Sequence, residues 1–139
     1  GMSVGDSLLD YFSVQEIKNA KAPYYKNKDN LFSTSEFYKD ETSYLEVYDG
    51  LQVTYKTSDA KYQIYNIAGL LASTPSECTN KKLEIIKEIE NIFKDLDRYE
   101  VNEKHILDKS GKSKIIGYNY YFKSSDYIQV ACYIWSKQI

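Results

Sequence analysis

The sequence predicts an α+β fold: an antiparallel, Tyr-rich β-sheet with a long amphipathic helix packed on one face and a short N-terminal helix. Three observations carry this. Fifteen of the 139 residues are tyrosines, against five Phe and one Trp, and tyrosine suits half-buried strands whose hydroxyls reach water. Thr74-Pro75-Ser76-Glu77 opens a stretch with helical periodicity. The order of elements is helix, meander, helix, hairpin-rich end, without the alternation that builds a parallel sheet.

Residues 3–20 read as helical. Ser3 with Asp6 forms a capping-box pattern, Leu8, Leu9 and Phe12 supply an apolar stripe, and Ser13 with Glu16 repeats the pattern. A kink or a second short helix ending near Lys21 is therefore expected, stopped by Pro23. Tyr24 to Asn30 is polar and reads as a loop.

Extended pieces follow at Leu31 to Tyr38, Tyr44 to Tyr48 and Leu51 to Thr57, with Asp49-Gly50 as a hairpin-type turn between the last two. A turn at Ser58 to Ala60 leads into a strand over Tyr62 to Leu71.

Thr74, Pro75 and Glu77 supply an N-cap, a proline at the first helical position and a glutamate at the third. The helix places Cys78, Ile85, Ile89, Ile92 and Leu96 on one face, reinforced by Ile86 and Phe93. Lys82, Glu84, Lys87, Glu88, Glu90 and Lys94 fall on the other. An extended stretch over Tyr99 to Leu107, a turn at Lys109 to Ser113 and strands at Lys114 to Lys123 and Tyr127 to Trp135 complete the chain, with Ser124-Ser125-Asp126 as the last turn. In the final strand Ile128, Val130, Cys132 and Ile134 form the expected core face.

A chain of this length is expected to form one domain, residues 1–139, around one core. Its formal net charge of −2 offers no basic excess for a phosphate backbone or an anionic membrane. The longest apolar run, Ile67 to Ala72, is too short for a membrane span. No nucleic acid and no membrane insertion are expected, and the chain is read as a monomer or dimer.

Gly5-Asp6-Ser7-Leu8 spells the signature of a class of serine esterases. Such an enzyme needs its serine after a sheet strand, an oxyanion pocket and a histidine oriented by an acid. Ser7 has no strand before it, the only histidine is His105, and residue 102 is Asn where an Asp-x-x-His pair would need an acid. Helix capping by Asp6 or Ser7 is the preferred reading. His105 reads as a surface or strand-end residue. The cysteines lie too far apart for a close zinc-ligand pair, and the helix carboxylates are interspersed with lysines. No catalytic residue, metal or cofactor is assigned.

Gly117 to Phe122 (GYNYYF) approaches the aromatic strand of an RNA-recognition fold but lacks its basic and small residues. A Tyr-rich strand with one wet face explains it better. Tyr118, Tyr120, Tyr133 and Trp135 are taken as candidate binding-face aromatics. Cys78 falls on the apolar face of the long helix and Cys132 on the core face of the last strand, so helix-on-strand packing would bring their sulfurs together as a disulfide. Two buried free thiols are the alternative.

Three stretches, Met2 to Ser13 (MSVGDSLLDYFS), Lys61 to Ala72 (KYQIYNIAGLLA) and Asp108 to Ser136, which runs from DKSGKS to ACYIWS, together resemble a family of small exported proteins from marine bacteria. The resemblance implies an export signal upstream of Gly5, with Met2 internal to a precursor, and a periplasmic or secreted location. It implies no activity.

The functional expectation is a non-enzymatic binding or interaction domain presenting a Tyr-rich sheet face to a protein or small molecule. An inhibitor of a secreted enzyme is a special case. The alternative is a small hydrolase using Ser7 or an acid-only mechanism.

Overall fold

A computed structural model describes residues 1–22, 30–40, 42, 45 and 47–136. It has an α+β fold of two three-stranded antiparallel sheets, where the sequence led us to expect one. The chain forms two compact units, Gly1–Ala72 and Ser73–Ile139. Two hydrophobic clusters are present where chain length suggests a single core.

The first unit opens with a turn, not with the helix expected from Ser3. Gly5 takes a φ of 96°, which no helix accommodates, and the Asp6 carboxylate accepts the Ser3 N–H at 2.9 Å. A 3₁₀ turn, Leu8–Asp10, and a helix α1, Val14–Asn19, follow. The capping box of Ser13 and Glu16 is formed in both directions. Pro23 and the loop read over Tyr24 to residue 29 lie outside the described residues.

Strands β1, Phe32–Tyr38, β2, Gly50–Lys56, and β3, Ile64–Leu70, pair in that order. Strict alternation in β1 and β2 turns Ser33, Ser35, Phe37, Leu51, Val53 and Tyr55 inward. Leu8, Phe12 and Ile17 cover them, and the Phe12 and Phe37 rings stack at 3.8 Å. Buried Ser35 donates to the Ile17 carbonyl at 2.9 Å and meets the Tyr55 hydroxyl at the same distance, so neither polar group is left unpaired. Burial pushes the Tyr55 phenol up from its ordinary pKa.

Asp49-Gly50 is not a hairpin turn. Gly50 is already in β2, opposite Tyr38, and a Cβ on it would lie 3.3 Å from Leu70. Asp49 instead donates its N–H to the Leu70 carbonyl and accepts the Ala72 N–H. Of the strand expected at Tyr44 to Tyr48, Tyr44 and Glu46 lie outside the described residues, and Leu45, Val47 and Tyr48 are not in a strand.

In the second unit α2 spans Pro75–Ile92, with the Thr74 and Glu77 capping box and Pro75 at its start. Strands β4, Asp97–Lys104, β5, Lys114–Tyr121, and β6, Tyr127–Ile134, form the second meander. Ile86 and Ile89 of α2 are buried with Tyr120 and Val130, and Ile85, Leu96, Tyr118 and Ile128 pack against them. Ile92 is exposed. At about 100° per residue it falls back from Ile89 by about 60°, beyond the edge of the buried stripe.

Cys78 and Cys132 form a disulfide, with Cα atoms 5.9 Å apart, so the helix-on-strand packing read from the sequence is present. On the same face Glu90 accepts from the Tyr120 hydroxyl at 3.1 Å and from Arg98 at 3.0 Å. No helix among the described residues is long and apolar enough to cross a membrane.

Candidate functional site

The helix covers one face of the second sheet. The register decides what the other face presents. Tyr118 lies opposite Val130, Tyr120 opposite Ile128 and Ile116 opposite Cys132. These residues therefore share the helix-facing side. Tyr120 is buried there, its hydroxyl held by Glu90, and Tyr118 carries the Arg98 guanidinium 4.9 Å from its ring centre. The expectation that Tyr118 and Tyr120 join a binding face is thus corrected: their cross-strand partners are the apolar residues of β6, and the helix claims that side.

Tyr133 and Trp135 do lie on the outer face, 46% and 52% exposed. The structure adds residues the sequence reading did not select. Tyr99 of β4 meets the Tyr121 ring edge-on at 5.6 Å, and Tyr121 contacts Tyr127 at 5.4 Å. Tyr99 is 58% exposed and Tyr127 52%. At the other end His105, directly after β4, lies 4.4 Å from the Trp135 ring and 5.6 Å from Tyr133.

Between these two aromatic groups run amides and small residues. The Gln129 side chain donates to Asn119 at 3.0 Å, and Gly117 lies opposite Ala131. On this face β5 and β6 contribute Ile115, Gly117, Asn119, Tyr121, Tyr127, Gln129, Ala131 and Tyr133, none of them charged, while β4 adds Asp97, Val101 and Glu103 beside Tyr99. An open depression bounded by Asp97, Tyr99, Tyr121, Phe122, Lys123 and Ser125 lies at the Tyr99 end.

The outer face could have been found in part from parity. Tyr127, Tyr133 and Trp135 share one phase of β6, opposite to the apolar phase. The contributions of β4 and β5 depend on pairing registers that no local signal announces.

The esterase letters resolve as structure. Ser7 caps the 3₁₀ turn by accepting the Leu9 N–H at 3.2 Å and donates its hydroxyl to the Lys61 carbonyl. It bridges to Gln63, while Gly5 and Leu8 donate to Ile64 and Tyr62. The segment pairs with the chain leading into β3 and covers that strand's edge at Ile64. His105 is a strand-end residue whose Nδ1 accepts the Leu107 N–H at 3.2 Å. Among the described residues no carboxylate is hydrogen-bonded to it, and no group of His, Cys, Asp or Glu is placed to hold a metal ion.

Compared with family models, curated proteins and solved structures, the chain matches none.

Proposed function

We propose that the chain is an exported binding or interaction domain, periplasmic or secreted, that uses the outer face of its second sheet to hold a protein or small ligand. One observation carries this reading. Tyr99, Tyr127, Tyr133 and Trp135 lie about half exposed on a single face, at both ends of the uncharged strip that β5 and β6 supply, with Asp97 and Glu103 of β4 along its border. Exposed rings are common as single residues, but a cluster of Tyr and Trp on one face is the composition of a recognition surface. The Cys78–Cys132 disulfide supports an oxidising compartment, and the resemblance to exported proteins of marine bacteria points the same way.

The test uses the disulfide-bonded chain and a Tyr99→Ala, Tyr127→Ala, Trp135→Ala variant of equal melting temperature. Both are immobilised and exposed to extracytoplasmic extract, divided into macromolecules and small molecules. A ligand held at least about tenfold more tightly by the unaltered chain is expected, since hot-spot rings carry such differences. Equal retention by both would remove the reading.

A further inference from the structure

At one end of the second sheet the β4–β5 connection, residues 105–113, carries an apolar tip. Ile106 is 92% exposed and Leu107 53%. Beside them stand the exposed rings of Tyr133 and Trp135, joined to the tip through His105, whose ring contacts both and whose Nδ1 holds the Leu107 N–H. The tip is built and not merely loose. The Asp108 carboxylate accepts from the Ser110 N–H and hydroxyl and from the Ser113 N–H, at 2.7 to 2.9 Å. Gly111 turns the chain at a φ of 70°.

Around this apolar tip lies a rim of lysines: Lys104, Lys109, Lys112 and Lys114, all exposed. Lys104 and Lys114 are direct cross-strand partners, a like-charge pairing that weakens a sheet. Lys104, Lys109 and Lys114 have no ion-pair partner among the described residues. The segment Glu103 to Lys114 holds four lysines against two acids, and one of those acids, Asp108, is turned into its own loop. The whole-chain charge of −2 conceals this. A surface responds to charges within about a Debye length, ~8–10 Å, and there the tip is basic.

We propose that this hairpin tip docks on an anionic lipid bilayer surface, with Ile106 and Leu107 in the headgroup boundary, Trp135 and Tyr133 at its level and the lysine rim against the anionic headgroups. The inference goes beyond the ligand-binding face: it shares Tyr133 and Trp135 with that face but rests on Ile106, Leu107 and the lysine rim, which the face does not use. Two weak signals, an apolar wedge and a basic rim, are what reversible adsorption requires, because neither holds alone. Tyr and Trp favour the membrane–water boundary, where the ring is apolar and its polar group is wet. A protein partner fits the rim less well, since lysine is depleted at protein interfaces. A nucleic acid would leave Ile106 and Leu107 without apolar contact.

The probe is a sedimentable vesicle of mixed phosphatidylcholine and phosphatidylglycerol, compared with phosphatidylcholine alone. Trp135, the only tryptophan, reports the tip by its emission. The chain is expected to sediment with the mixed vesicles at least about tenfold more than with neutral ones, to be released by salt, and to shift Trp135 emission to the blue. An Ile106→Asp, Leu107→Asp variant, altered only at exposed positions, should keep its melting temperature and lose both signals. Lys109→Glu with Lys114→Glu should lose the preference for the anionic lipid. Absence of binding to mixed vesicles, or binding that survives the Ile106 and Leu107 changes, overturns the proposal. So does a protein captured through the tip by a chain that ignores vesicles. A chain that binds vesicles but retains no ligand through Tyr99 and Tyr127 would sink only the ligand-binding reading.

Discussion

Cys78, in the first turns of α2, is bonded to Cys132 in the middle of β6, and this bond and the Ile86, Ile89, Tyr120, Val130 cluster hold the same helix to the same sheet. The cluster is small, so the bond has a large share of the work. It spans 54 residues, for which the chain-entropy model gives about 4 kcal/mol. Reduction, or Cys78→Ala with Cys132→Ala, should lower the unfolding free energy of the second unit, read from its denaturant transition, by an amount of that order, with loss of α2 ellipticity. The Phe12, Phe37 and Val53 environment in the first unit, followed by its own NMR signals, should keep its midpoint. Coincident loss of both units, or no shift in either, would contradict the assignment of the bond to the second core alone.

Gly117 sits at the centre of the outer face because nothing larger fits. A Cβ there would lie 2.0 Å from the Val130 carbonyl oxygen and 2.6 Å from the Ala131 Cα. Both are backbone atoms of the paired strand and cannot rotate away. Gly117→Ala should therefore destabilise the second unit by about 1–3 kcal/mol, the range of overpacked sites, and disturb the β5–β6 amide signals first. A variant as stable as the parent would show that the two strands can spread without penalty.

Asp108 carries a pH prediction. Hydrogen bonds from the Ser110 hydroxyl first, and then from Ser113 and the two backbone N–H groups, hold its carboxyl well below the usual carboxylate range. Because the folded value is depressed, the carboxylate supports the tip at every pH above the unfolded value of about 3.9. That support fades only as pH falls through the lower folded value. The Asp108 carboxyl signal should titrate below that of an unstructured aspartate, and the Ser110 and Ser113 N–H signals should persist until it does. Asp108→Asn should remove that persistence. Asp59, held down in the same direction by the Gln63 and Lys61 N–H groups, provides an internal reference. A midpoint at the ordinary value would mean the loop is open in solution.

Local signals were strong where one residue type has one physical use. Thr74, Pro75 and Glu77 could only begin a helix, and α2 begins there. The alternation of β6 turned Val130 and Cys132 inward, and with the phase of α2 that made a disulfide one of two readings, of which the structure holds the bonded one. Patterns with two physical uses were misread. Ser3 and Asp6 satisfy a capping box or a tight turn equally, and Gly5 decides for the turn. Asp49-Gly50 has turn chemistry, but Gly50 serves the close approach of Leu70. The binding face was half legible: β5 carries rings in both phases, Tyr118 and Tyr120 in one and Tyr121 in the other. Only the register against β6 tells which meets the helix. The basic rim was hidden for a different reason, since a chain-wide charge sums over distances that solvent screens.

With two cysteines in the chain there is a single intramolecular connectivity, so oxidative folding has no wrong isomer to escape. Cys78 opens the second unit and Cys132 lies in its last strand, while each sheet pairs only sequential neighbours. The chain thus needs an oxidant but no disulfide shuffling. Its maturation should proceed at the rate of thiol oxidation, indifferent to an isomerase.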